Sequence, residues 1–205
     1  MAAEPATTTD RPLRARGRAT RARLIDAGVW AFSRKGFHAT RVDDVVRRAR
    51  TSHGTFYLYF PSKEALFEQV LAEVADEFGR LTVDLPEIRR TDEARAALEA
   101  WLVSFIEVYR RFGPLIRTWT EADQPGGEGG PGPDLLGTVA EAFGARVKLR
   151  RRKDLDPAIA ALALVAMVER VNYFHATGQL DEEPGALAAT LADIILDALF
   201  GPSRD

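Results

Sequence analysis

The sequence predicts an all-α protein in which a small helix-turn-helix head precedes a larger helical body. Three observations carry this. Apolar residues recur at helical spacing in nearly every segment, and no stretch alternates with the period of a strand. Glycine and proline fall between those segments, where they stop and start helices. Two short helices joined by a tight turn fill residues 40–59. The second opens on small polar residues, which is the layout of a helix-turn-helix.

The elements follow in order. Residues 1–17 read as a disordered basic arm, small and polar with Arg11, Arg14 and Arg16. The first helix covers Thr20–Lys35, with Leu24, Ala27, Gly28, Ala31 and Phe32 on one face and Gly36 as its stop. Thr40 is placed to cap the second helix, with Asp43 three residues on as in a capping box. Val42, Val45, Val46 and Ala49 form its inner stripe. The third helix spans Ser52–Tyr59 and ends before Pro61, which cannot continue the hydrogen-bond ladder. Ser62 caps the fourth, which carries Leu66, Phe67, Val70, Leu71, Val74 and Phe78.

The body continues with helical spacing over Asp92–Phe112 and a break at Gly113-Pro114. A shorter helix to Ala122 and a Gly/Pro linker over Gln124–Pro133 follow. Another helix starts at Asp134 and ends in the basic run Arg150–Lys153, a charge that suits a helix C-terminus. Asp156-Pro157 opens a helix to Thr177, stopped by Gly178, and Pro184 opens the last, to Phe200. The punctuation gives about nine helices.

Charge and composition narrow the function. The chain has a formal net charge of −2, but residues 1–63 hold 13 Lys/Arg against 5 Asp/Glu. A basic head on an acidic body suits nucleic acid. There is no cysteine, hence no disulfide or thiolate metal site. The three histidines, at 38, 53 and 175, stand far apart, and no nucleophile elbow, phosphate loop or metal-ligand spacing occurs. No enzyme, no metal and no cofactor are expected. No apolar run of about 18 residues and no signal-peptide core are read, so the expectation is a cytoplasmic protein without a membrane partner.

The stretch Gly54-Thr-Phe-Tyr-Leu-Tyr-Phe-Pro-Ser-Lys-Glu-Ala-Leu66 resembles the DNA-binding domain of the tetracycline-repressor (TetR) family of transcriptional regulators. Ala27, Phe32 and Gly36 upstream and Thr40 with Val45 between support the resemblance. It divides the chain into a basic arm at 1–17, a DNA-binding head at 18–78 and a ligand-binding and dimerisation body at 79–205.

The leading residues of a recognition helix face base edges in the major groove. Ser52, His53 and Thr55 have the donors, acceptors and size for that, and Gly54 allows close approach. The resemblance implies phosphate contacts from Tyr57, Tyr59 and Lys63. Thr40 suits a cap that also touches phosphate, and Arg41 a base or backbone contact. Plain roles compete with each of these: caps for Thr40 and Ser62, core aromatics for Tyr57 and Tyr59, and surface residues for His53 and Lys63. Phe56 and Phe60 suit the core. Position 50, in the turn, is usually glycine in the family and here is Arg50. A left-handed conformation there would cost roughly 1 kcal/mol.

In the body, Asp156–Thr177 is apolar nearly all round, and the last helix is similar. The resemblance implies a homodimer through these last two helices, reading a palindromic operator on double-stranded DNA. Val168 and Ile195 are taken as interface positions; burial wholly inside the monomer is the plainer reading that competes with this. Trp101, Phe105, Tyr109, Trp119, Phe143 and Tyr173, with Asn172, are candidates for lining a pocket for an apolar or aromatic small-molecule effector. The plainer reading makes them core. The expected function is a dimeric repressor released from its operator by that effector. A DNA-binding regulator without a ligand is the alternative.

Overall fold

The computed structural model describes residues 10–122, 135–147 and 156–201, apart from the side chains of 10–14, 117–122 and 136. Among them are eight helices: α1 (Asp10–Ala39), α2 (Val42–Ala49), α3 (His53–Tyr59), α4 (Lys63–Asp84), α5 (Asp92–Ala122), α6 (Leu135–Arg146), α7 (Pro157–Ala176) and α8 (Pro184–Phe200). No strand occurs among the described residues. A single parallel bridge pairs Ile88 with Val147. The all-α class is as expected. The chain divides into two compact units, Met1–Ala72 and Glu73–Asp205, so α4 begins in the first and ends in the second. The linker at 124–133 and the basic run at 150–153 lie outside the described residues.

In the first unit, α1 begins at Asp10, inside the segment expected to be disordered. Pro12 falls in its first turn, where a missing N–H costs nothing, and Leu, Arg and Ala favour helix thereafter. Residues 1–9 lie outside the description. Gly36 does stop the regular helix, at φ 72° and ψ 168°.

Thr40 was expected to cap α2, and it does not. Its hydroxyl donates backward, to the Gly36 carbonyl at 2.7 Å and the Ala31 carbonyl at 3.2 Å. It thereby ties the start of α2 to two carbonyls near the end of α1. The cap residue of α2 is Arg41, and its main-chain N–H donates to Asp44 Oδ2 at 3.1 Å. The acidic partner is therefore Asp44, one residue later than the expected Asp43.

The turn between α2 and α3 keeps the geometry that favours glycine. Arg50 sits at φ 52° and ψ 54°, in the left-handed region. Replacing it by glycine removes the clash of Cβ with the following carbonyl. Arg50→Gly is expected to stabilise the first unit by about 0.5–1 kcal/mol. Its chemical denaturation midpoint checks this, and a lower midpoint would refute it.

Around this turn the interior closes on Leu24, Phe32, Val45, Phe56 and Leu66, all fully buried. Phe67 meets Phe32 edge-on at 5.0 Å and Phe37 at 4.7 Å. Gly28 lets α1 and α4 approach: a Cβ there would lie 3.0 Å from Leu66 Cδ2.

In the second unit, α5 runs straight through the break expected at Gly113-Pro114, which is why eight helices replace about nine. An internal proline costs about 3 kcal/mol. Burial of Tyr109, Phe112, Leu115 and Ile116 on the same helix opposes that cost. Gly113 serves packing here: a Cβ on it would fall 2.5 Å from the Tyr109 ring.

α5 packs against α8 and α7, and α6 against α7. Arg95 bridges α5 to Asp193 of α8 with two bonds, of 2.7 and 3.1 Å. The Ile88 N–H donates to the Arg146 carbonyl at 3.2 Å, tying the segment before α5 to the end of α6. α7 opens as expected, with Asp156 Oδ1 accepting from the Ala158 and Ile159 N–H groups at 2.9 and 3.1 Å.

Contrary to expectation, α7 is long and apolar enough to cross a bilayer by length and composition. A fully apolar helix is also what a core or an interface demands. Here one side of α7 is buried, through Ala161, Leu164, Val165, Val168 and Asn172.

Candidate nucleic-acid interface

α3 owes its position to two anchors. Phe56 is fully buried and Phe60, just past the helix, is 3% exposed, so the inner face is apolar and fixed. At the other end Ser52 caps the helix: its Oγ accepts from the Thr55 N–H at 3.1 Å. The two hydroxyls also lie 3.0 Å apart. Each hydroxyl keeps capacity for at least one more partner.

The outer face carries most of the expected readers. Ser52, His53 and Gly54 are exposed, and Thr55 is half-buried. At Gly54 the space of a side chain is open, the nearest atom to an added Cβ being Ser52 Oγ at 3.8 Å. His53 Nε2 lies 2.7 Å from Asp43 Oδ1, tying the tip of α3 to α2; both side chains are exposed. Tyr57 is 55% exposed, so its competing reading as a core aromatic is wrong. Tyr59 is half-buried, and its hydroxyl lies 3.4 Å from where a Cβ on Gly17 would stand. Arg41 is exposed beside α2.

Two expected contact residues stand apart from this face. Thr40 is 1% exposed and its hydroxyl has acceptors, so its side chain is not available to a phosphate. Lys63 is half-buried. Its ammonium donates to the Phe37 carbonyl at 2.9 Å and the Thr40 carbonyl at 3.1 Å, and lies 4.2 Å from the Phe37 ring centre. It therefore braces the α1–α2 junction, with one of its three N–H groups left over for an anion.

The sequence reading missed Leu58, which is 77% exposed. A large apolar side chain held in water on a recognition helix suits the methyl group of thymine. The available signal was spacing: Leu58 follows Thr55 by three residues and so shares its face. Also missed was the network around Asp44. This buried carboxylate accepts from Lys35 Nζ and Arg47 Nη2, both at 2.7 Å. The bond from Lys35, then that from the Arg41 N–H, hold its pKa below the usual carboxylate value, against the opposing effect of burial. Arg34 and Arg48 stack on Trp30 at 5.4 and 5.0 Å, adding two more cations to the same unit.

In the second unit, Trp101, Phe105, Tyr109 and Phe143 are buried core residues. Trp101 donates to the Leu81 carbonyl at 2.8 Å, and its ring lies 5.6 Å from Phe105, which stacks on Tyr109 at 6.2 Å. They make a packed ladder along α5. An open groove of roughly 550 Å³ beside it is lined by Leu81, Pro86, Trp101, Ser104 and Glu107 among others, and of the expected pocket residues it touches Trp101 alone. Tyr173 is half-buried, with Arg170 over its ring at 5.5 Å. The Trp119 side chain lies outside the described residues. Among the described residues no group of His, Cys, Asp or Glu is arranged to hold a metal ion.

The comparisons with known proteins agree with this geometry. The family model for bacterial regulatory proteins of the tetR family matches residues 24–70. YdgC, an HTH-type transcriptional regulator of Bacillus subtilis (strain 168), is 36% identical over 203 residues, covering 94% of this chain and 99% of its own.

Among solved structures, the fatty acid degradation regulator FadR from Bacillus halodurans superposes with a TM-score of 0.60 at 18% identity, covering 88% of this chain and 96% of its own. FadR from Bacillus subtilis, solved in complex with stearoyl-CoA, gives 0.54 at 18%, with 89% and 99% covered. At that identity the structures attest the fold alone. The near full-length relative and the matched helix-turn-helix place this chain in the TetR family of DNA-binding transcriptional regulators.

Proposed function

We propose that the chain is a dimeric repressor that reads a palindromic operator through α3 and leaves it when a small molecule binds the second unit. The observation that carries this is the outer face of α3, where Ser52, His53, Gly54, Thr55 and Leu58 stand together over a buried Phe56 anchor. These five are the base readers. Arg41, Tyr57, Tyr59 and the spare N–H of Lys63 serve phosphates, which position the head without reading sequence. Thr40 acts as a brace. The head lies within 18–78, and 79–205 supplies dimerisation and effector binding. The cytoplasm, where the chromosome is, is its working place.

Thr55→Ala and Leu58→Ala should each lower the preference for operator over random DNA by about 1 kcal/mol, the low end for a base contact. Tyr57→Phe should weaken both DNAs alike. Competition binding at several salt concentrations checks this, since phosphate contacts give the salt slope. Equal losses on both DNAs for Thr55→Ala and Leu58→Ala would remove α3 as the reader.

For an effector, support comes from an orphaned buried polar atom of the second unit, Asn172 Oδ1, and from the acyl-CoA complex of a structural neighbour. The tight stacking of Trp101, Phe105 and Tyr109 favours the second reading, a regulator without a ligand. Release of operator by an added small molecule decides between them.

A further inference from the structure

The outer stretch of α1 carries arginines in a pattern that the DNA face of α3 does not use. Arg11, Arg14, Arg18 and Arg21 follow one another at intervals of three, four and three residues. In a helix that spacing places all four positions on one side. Arg16 and Arg23, seven residues apart, belong to the other side. Among the described side chains of α1, burial begins only at Leu24, so this stretch contributes little to the core.

Two contacts fix the stripe to the head at its inner end. Arg21 Nη2 donates to Gln69 Oε1 at 2.7 Å, and its guanidinium lies 5.5 Å from the Phe60 ring centre. Gly17, four residues earlier and so on the same side, faces Tyr59: a Cβ there would stand 3.4 Å from the Tyr59 hydroxyl. This side of α1 therefore runs past the C-terminal end of the recognition helix. Arg18 stands there exposed, and among the described residues it has no hydrogen-bond or ion-pair partner. From Gly17 back to Asp10 the helix continues for seven residues, about 10 Å.

We propose that residues 10–21 form a rigid arm that grips DNA phosphates beyond those reached by α2 and α3, through the side that carries Arg11, Arg14 and Arg18. Two observations select DNA as the occupant. The stripe is cationic along its whole length, and it is continuous with the recognition helix through Tyr59 and Phe60. A reach of about 10 Å matches roughly three base pairs at 3.4 Å each. Phosphates carry no sequence, so the arm adds affinity and leaves the preference for operator to α3. A helix presents its guanidinium groups already ordered, which an unstructured tail would have to achieve on binding. This inference rests on the proposed reading of DNA by α3.

Full-length wild type, Arg18→Ala, Arg16→Ala and Ala19→Pro, all changed at exposed positions, are compared on operator and random DNA over a range of salt. Arg18→Ala should bind both DNAs at least fivefold more weakly, with a salt slope lower by about 0.9 for each head bound. Arg16→Ala removes the same charge from the other side and should change affinity less than twofold. Ala19→Pro keeps every charge but makes residue 19 a helix start, detaching the residues before it. It should lose at least as much affinity as Arg18→Ala, and hydroxyl-radical protection should retreat by about three base pairs in each half-site. Equal losses for Arg16→Ala and Arg18→Ala would reduce the arm to diffuse charge. Unchanged affinity for Ala19→Pro would reduce it to an unstructured tail, and either result overturns the proposal. So would losses that depend on whether the flanking pairs are A·T or G·C, which would mark minor-groove reading instead. Arm variants that bind like wild type while the operator preference persists would remove the arm and leave the α3 reading intact. A wild type without operator preference would remove the α3 reading, and the arm with it.

Discussion

Leu162→Glu is expected to turn the protein into monomers that keep their fold and lose the palindromic operator. α7 and α8 each have two faces. The inner ones, with Val168 at 4% and Ile195 at 0% exposure, fill the core of their own unit. The expectation that these two residues make the dimer contact is corrected accordingly. What α7 leaves outside is a stripe at helical spacing, Ile159 (69% exposed), Leu162 (59%), Ala163, Ala166 and Phe174. α8 adds Ile194 with Ala186 and Ala198. Alanines between large apolar residues let helices approach closely.

Burying a Leu contributes about 1.5–3 kcal/mol, and an unpaired carboxylate in such a contact costs several. Dimer affinity should fall at least a hundredfold, which corresponds to about 2.7 kcal/mol. Each half-site would then have to be held by one head. Sedimentation gives the mass, circular dichroism the retained helix, and gel shift the operator loss. Val168→Glu is the contrast: it should unfold the second unit, because its side chain faces inward. A Leu162→Glu protein that sediments as an unperturbed dimer would place the interface elsewhere.

The contrast between those two positions shows where the sequence stops being legible. Periodicity says that a helix has an apolar face, and α7 is apolar nearly all round. It cannot say which part meets the same chain and which a second copy. Local chemistry was readable wherever one residue decides the outcome: Gly36 ends α1, Ser62 Oγ accepts from Ala65 N–H at 3.1 Å, and Asp156 caps α7. Such effects act within one turn.

Reading failed where a distant contact competed. Pro114 should break α5, but the burial of Tyr109, Phe112 and Leu115 holds the helix together. Thr40 looks like a cap, yet a carbonyl nine residues back claims its hydroxyl. Lys63 looks like a surface cation, and its ammonium is drawn to carbonyls at the end of α1. At the recognition helix, the exposed set was legible because alternation of Phe56 and Phe60 with polar neighbours defines one inner side. Leu58 was not, since an apolar residue reads as core by default.

Asp44 makes the last prediction, and it too depends on a contact that spacing alone does not reveal. Its carboxylate is buried and gathers Lys35 from α1, Arg47 from its own helix and the N–H that opens α2. Asp44→Asn preserves the shape and removes the charge. Bonds to charged groups contribute about 1.5–3 kcal/mol, and the partial exposure of Lys35 and Arg47 argues for the lower end, near 2 kcal/mol at neutral pH.

The pH dependence has a definite sign. The folded pKa is depressed below the unfolded carboxylate value of about 3.9. The stabilisation is therefore fully present above that value and is lost as pH falls through the folded pKa. Denaturation of wild type and Asp44→Asn should differ by a constant amount from about pH 7 down to pH 5, and the curves should then converge as acid protonates Asp44. Operator affinity should fall with the loss of the neutral-pH stability, since α2 supports the α3 tip through Asp43 and His53. Parallel curves down to the lowest pH would mean that the carboxylate is not the hub of the head, and that Lys35 and Arg47 find equal partners in water.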